Sequence, residues 1–143
     1  MPEAKNLTVS KVNNPADLEI VFAIRREVFV VEQNCPPELE WEFEEESTHF
    51  LAKVNGEPAG AARWRKTDNG YKLERFAVLQ QYRGIGVAQV LIKTVLDDLP
   101  DGTEYVYLNA QIQAVGLYAK FGFIQTGPQF EEAGIQHFKM VLS

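Results

Sequence analysis

The sequence predicts an α/β (α+β) domain, a single mixed and mostly antiparallel central sheet of about seven strands with flanking helices. Three observations predict it. A strand, a glycine-bearing turn and a helix follow one another between Tyr71 and Leu99. Two turn signals, Asn55-Gly56-Glu57 and Asp68-Asn69-Gly70, fold the strands ahead of that unit into an antiparallel meander. After it, a compact apolar run at Tyr105 to Ala110 leads into a short helix and two last strands. With 143 residues, 45% of them hydrophobic, the chain can bury one core, so one domain over residues 1–143 is expected.

Taken in order, Leu7 to Val12 alternates apolar and polar residues as a first strand. Asn14-Pro15 then reads as a helix N-cap with proline at the first helical position. The helix carries the stripe Leu18, Val21, Phe22, Ile24, Val28 and Phe29, which leaves Arg25, Arg26 and Glu27 for the rim or solvent. Periodicity disappears from Glu32 to Glu46, a stretch with seven glutamates, Cys35, Pro36-Pro37 and Trp41, read as a long loop with room for one helical turn. Strands follow at Phe50 to Val54, Pro58 to Lys66 and Tyr71 to Val78. Val87, Val90, Leu91, Thr94, Val95 and Leu99 then recur at helical spacing. Ala114 to Phe121 is a short helix stopped by Gly122, and strands at Phe123 to Gly127 and Gln136 to Leu142 end the chain.

Composition excludes several classes of function. A net charge of −6 argues against nucleic-acid and anionic-membrane partners, which need clustered Lys and Arg. No stretch approaches a membrane span. One cysteine excludes an internal disulfide, and Glu3 and Lys5 stand where a secretory signal would need an apolar core, so a reducing, cytoplasmic setting is expected. No metal-ligand spacing appears, and no metal is expected.

The turn at Gly84 and Gly86 suits a phosphate, because glycine accepts positive φ and the first turn of a helix offers unpaired N–H groups. A Walker loop fails, since no Lys-Ser or Lys-Thr follows the glycines; a dinucleotide fingerprint fits poorly, with Gln89 where Gly or Ala belongs. Arg83-Gly84-Ile85-Gly86-Val87-Ala88, and Gln81 to Gly86 two residues earlier, resemble the Arg/Gln-x-x-Gly-x-Gly/Ala pyrophosphate loop of the GCN5-related N-acetyltransferases (GNAT). Ala114 to Phe123 resembles that family's Ala-x-x-x-Tyr-x-x-x-Gly-Phe signature, and the element order is similar over essentially the whole chain. Val28 to Gln33, Asn109-Ala110-Gln111 and Gly134-Ile135-x-His137 resemble its ElaA/YjcF-like subgroup. Gln111 departs from the asparagine common in the family seven residues before the tyrosine.

The resemblance implies a GNAT fold, splayed between its fourth and fifth strands, with acetyl-CoA as cosubstrate in the gap. Main-chain groups at Phe76, Ala77 and Val78 would meet pantetheine and the acetyl carbonyl, the amides of Arg83, Gly84, Ile85, Gly86, Val87 and Ala88 would hold the pyrophosphate, and Asn109 and Tyr118 would line the cofactor. The implied reaction is direct attack of a primary amine on the thioester through a tetrahedral intermediate. Tyr118 is the candidate acid. For the base, Glu74, a histidine and water all stay open; regular strand parity puts Glu74 on the face of Phe76 and Val78.

Candidate acceptor residues are Glu32, Gln33, His49, Arg63 and His137. Arg63 and Arg65 alternate on their strand, so that one can reach the groove and bind a carboxylate or phosphate, or both can pair with the glutamate-rich loop. The acceptor is expected to be a small-molecule amine, with a protein amine as the other option, and a homodimer is compatible with the family. A non-catalytic acyl-CoA-binding sensor or partner module is the alternative reading.

Overall fold

The computed structural model describes residues 6–36 and 43–142. The amino-terminal residues Glu3 and Lys5, and Pro37 and Trp41 of the loop, lie outside them. The elements are β1 (Leu7–Lys11), α1 (Pro15–Arg25), a π-helical turn (Arg26–Glu32), β2 (Ser47–Val54), β3 (Glu57–Lys66), β4 (Tyr71–Val78), α2 (Val87–Asp98), β5 (Val106–Gln111), α3 (Val115–Ala119), β6 (Phe123–Glu132) and β7 (Ile135–Leu142). All seven strands form one sheet in the order β1-β2-β3-β4-β5-β7-β6, with only the β4–β5 pair parallel. The meander read from the two turn signals is β2-β3-β4. The last hairpin is longer than its apolar residues indicate, because exposed polar residues continue the β6–β7 ladder as far as Glu132 and Ile135.

Helices cover both faces. Val21, Ile24 and Val28 pack on Leu51, Ala61 and Ala77 on one face, whereas Val87, Leu91, Ile92 and Val95 of α2 join Phe50, Leu73 and Leu108 on the other. The Asn14 side chain accepts from the Asp17 N–H at 2.8 Å, which starts α1 at Pro15 as the Asn-Pro pair predicts. Toward its end the helix widens: the Gln33 N–H donates to the Val28 carbonyl five residues back. This π turn carries Phe29 and Gln33 toward the gap between β4 and β5.

Two backbone features shape that gap. The β4–β5 ladder consists of Tyr71↔Val106, Lys72↔Tyr107 and Leu73↔Leu108, after which the strands part. The edge of β4 beyond Leu73 is therefore open toward β5. On its other edge, β4 holds one extra residue against β3 between the pairs Arg63↔Glu74 and Ala61↔Ala77, and Arg75 sits at φ +58°. That bulge reverses the strand's parity. Phe76 and Val78 pack with Leu73 on the α2 face, Ala77 packs on the α1 face, and Glu74 turns to Arg63. The expectation that Glu74 shares a face with Phe76 and Val78 is thus corrected.

Gly60 of β3 lets α2 lie close to the sheet. A Cβ there would stand 2.8 Å from the Ala77 carbonyl oxygen and 3.1 Å from a Val87 methyl.

Candidate active site

The parting of β4 and β5 opens a cavity of about 530 Å³. Phe76 and Tyr118 meet edge to face inside it, their ring centroids 5.8 Å apart, and Phe29 and Leu108 add apolar wall. Gln33, Asn109, Gln111 and His137 supply polar groups, and Arg65, Lys72 and Arg75 bring positive charge.

Beyond the end of β4, the turn into α2 has the geometry of an anion cradle. Gly84 and Gly86 take φ of +84° and +96°, and a Cβ on either would meet open space. No side chain caps α2, so the amides of its first turn are unclaimed and the positive end of the helix faces outward. Arg83 behaves differently from its sequence reading. Its N–H donates to the Gln80 carbonyl, and its guanidinium donates to the Val78 carbonyl and to both oxygens of Glu32. Donors for an anion therefore begin at Gly84, and Arg83 holds the turn in place.

Tyr118 is 8% exposed and lines the cavity. Its hydroxyl has no hydrogen-bond partner among the described residues. Burial pushes the phenol well above its ordinary range, which keeps it protonated.

Glu74 is held as an ion-pair centre. Its Oε1 accepts from Arg63 at 3.1 and 2.8 Å and from Arg65 Nε at 2.6 Å, and Lys72 Nζ lies 3.2 Å from Oε2. Burial alone would raise its pKa, but Arg63, Lys72 and Arg65 overcome burial and bring it down to about 2. A carboxylate so acidic and so fully engaged makes a poor base near neutral pH, and that assignment is corrected.

Three acceptor candidates also lie elsewhere. Arg63 is fully buried, joined to Glu74 and to Glu44 of the glutamate-rich loop. His49 is buried beside it, donating from Nε2 to the Glu44 carbonyl at 3.0 Å, while Nδ1 has no partner; burial lowers its pKa. Glu32 is engaged by Arg83. Arg25 is likewise buried, bound through both terminal nitrogens to Glu44 at 2.8 Å, rather than exposed as its place off the apolar stripe implies.

Gln33 and His137 do line the cavity. Gln111 donates to the Gln33 side-chain oxygen at 2.9 Å and accepts from Gln113 at 2.7 Å, a relay in place of the family's asparagine. His137 stacks on Phe130. Its Nδ1 is 2.7 Å from the Ile135 carbonyl, which can only accept, so Nδ1 carries a proton, and Nε2 lies 3.9 Å from Glu132 Oε1. Lys72 escaped the sequence reading. The signal for it was the hairpin register, which sets it directly across from Arg65. Among the described residues no group of His, Cys, Asp and Glu could hold a metal, and no helix is long and apolar enough to cross a membrane.

Comparison with known proteins bears on the fold and the family. The pattern of the family described as "Acetyltransferase (GNAT) domain" matches residues 8–143. The Bacillus subtilis (strain 168) protein named as the uncharacterized N-acetyltransferase YjcF is 41% identical over 131 residues, which is 90% of this chain and 94% of that protein. Protein ElaA of Escherichia coli (strain K12) is 34% identical over 134 residues, 87% of this chain and 86% of its own. The crystal structure of E. coli ElaA superposes with a TM-score of 0.80 at 28% identity, covering 96% of this chain and 100% of that one. An Elizabethkingia anophelis GNAT family acetyltransferase with acetyl-CoA bound shares the fold, with a TM-score of 0.66 at 16% identity over 96% of this chain and 98% of that one.

Fold and matches together define an acyl-transferring α/β protein built on an open sheet. The chain belongs to the GCN5-related N-acetyltransferase (GNAT) family.

Proposed function

We propose that this protein is an N-acetyltransferase that uses acetyl-CoA to acetylate the primary amine of a small molecule. The observation that carries this reading is the unpartnered Tyr118 hydroxyl in the β4–β5 gap, next to an open-edged strand that leads into the glycine turn. The residues present fit the cosubstrate. Amides from Gly84 through Ala88 would hold its pyrophosphate, and the free edge of β4 from Phe76 to Val78 would pair with its peptide-like arm, beside Asn109.

Acetyl-CoA supplies an activated acetyl group, whose carbonyl carbon bonds to the amine nitrogen as its bond to sulfur breaks. A β4 N–H near Phe76 to Val78 would donate to the carbonyl oxygen and stabilise charge that builds there. Tyr118 donates its proton to the departing sulfur. His137 Nε2 is the proposed acceptor of the proton that the amine must lose, directly or through water. Phe29, Phe76 and Leu108 exclude bulk water, which would otherwise compete with the amine. Cys35, buried at the cavity wall, suits a reducing cytoplasm.

Calorimetric titration with acetyl-CoA, of the wild type and of a Gly84→Val/Gly86→Val variant, tests the cofactor half. Saturable binding that the variant loses is expected, and turnover over an amine panel should follow. Binding without turnover on any amine would favour a non-catalytic sensor, and no wild-type binding at millimolar ligand would overturn the proposal.

A further inference from the structure

Arg25, Arg63, Arg65 and Lys72 are joined through the carboxylates of Glu44 and Glu74. Arg25 and Arg63 are buried and engaged there. Arg65 and Lys72, each 14% exposed, line the cavity and share Glu74 with Arg63.

These two residues are register partners on β3 and β4, so like charges stand directly across from each other, an arrangement that destabilises a sheet unless an anion joins them. Glu74 joins them only in part. Arg65 meets it through Nε alone, and the two terminal nitrogens have no partner among the described residues. Lys72 spends one contact, at 3.2 Å, of the three its ammonium offers. The Arg65 guanidinium is also oriented rather than loose, lying over the Phe43 ring at 3.9 Å. The other carboxylate that lines the cavity, Glu132, stands 3.9 Å from His137 and half-exposed at the opposite wall.

We infer that the acceptor amine carries an oxyanion, a carboxylate or a phosphate, which Arg65 and Lys72 bind while the amine is directed to the reacting centre. The inference rests on the acetyltransferase reading and narrows it: zwitterionic or phosphorylated small amines are substrates, and polyamines are not. An anion seated on a guanidinium fork and an ammonium forms charge-assisted hydrogen bonds at both. A second cation brought into the same cavity gains no such contact.

The test is a kinetic panel with acetyl-CoA and matched amines: β-alanine for the carboxylate, O-phosphoethanolamine for the phosphate, n-propylamine and ethanolamine as uncharged-tail counterparts, and spermidine. One or both anionic amines should show kcat/KM about tenfold or more above their counterparts. Arg65→Gln should lose most of that preference through KM, and Arg65→Lys should retain part of it. Arg65→Gln and Lys72→Met each also remove a contact to Glu74, so thermal melts of both variants check the fold, and both should show the same loss of preference. Equal or better turnover of n-propylamine or spermidine would overturn the inference and leave the acetyltransferase reading standing. Calorimetry of the same amines separates the two readings where turnover fails: no preference for the anionic amines sinks this inference, whereas loss of acetyl-CoA binding sinks the other.

Discussion

Arg83 donates through both terminal nitrogens to Glu32, each bond 2.7 Å long, and so ties the end of the π turn to the glycine turn that opens α2. Its Nε completes the tie by donating to the Val78 carbonyl at 2.9 Å. The π turn, the end of β4 and the glycine turn are thereby fixed to one another. The pair is partly exposed, so its worth to global stability is under about 1 kcal/mol, and its consequence is local. Glu32→Ala should change thermal stability little while raising the KM for acetyl-CoA several-fold, because the turn loses its anchor. The difference between variant and wild type should shrink as ionic strength rises, since salt weakens the pair that only the wild type has. Steady-state kinetics at low and high salt check both statements.

Tyr118 and His137 occupy the two proton-transfer positions of the proposed reaction. Tyr118→Phe removes a hydroxyl with no partner among the described residues, so stability should hold within about 0.5 kcal/mol while kcat falls about a hundredfold or more. His137→Gln should lower kcat and leave acetyl-CoA affinity intact. Calorimetric binding beside turnover distinguishes these losses from a damaged cofactor site.

Glu74 predicts how the protein responds to acid. Its pKa is lower in the folded protein than the ordinary 4.5, at about 2, so its ionised form favours the fold above the ordinary carboxyl range. That contribution, on the order of 3 kcal/mol, is lost as pH falls from about 4.5 toward 2. Glu44 acts in the same direction, its carboxyl held low against burial by Arg25 and Arg63. Glu74→Gln leaves the buried Arg63 short of a counter-charge and should cost about 3–5 kcal/mol at neutral pH, with a shallower decline below pH 4.5. Urea unfolding from pH 7 down to pH 3 measures both.

Glycines separate packing from binding. Gly60→Ala forces a methyl to 2.8 Å from the Ala77 carbonyl oxygen, a backbone atom that cannot step aside cheaply, and should destabilise the fold by about 1–3 kcal/mol. Gly86→Ala meets no neighbour, so its cost is the strain of positive φ, about 1–2 kcal/mol, together with weakened acetyl-CoA binding. Thermal melts paired with calorimetry should show the first variant losing mainly stability and the second mainly affinity.

Much of this molecule was legible in local patterns. Asn14-Pro15 begins α1, Asn55-Gly56 and Asn69-Gly70 turn the meander, and Gly84 and Gly86 open α2, because each depends on backbone preferences that a few neighbouring residues decide. Tyr118 and His137, singled out on motifs that resemble the family's, both line the cavity. What escaped was ionic and long-range. Arg25 reads as a surface residue off an apolar stripe, yet it is buried because Glu44, nineteen positions on, folds back to meet it. Glu74 reads either as a candidate base on the face of Phe76 and Val78 or as a solvated or salt-bridged glutamate, and a one-residue bulge at Arg75 turns it toward three cations.

The sequence by itself determined the fold class and the glycine turn ahead of α2, which rest on residue spacing along the chain, and its motifs carried the resemblance to the family. Only the tertiary structure decided which charges meet. Ion-pair partners are selected by distance in space and by burial, and neither the parity of a bulged strand nor the return of a distant loop is written into the spacing of the residues it brings together.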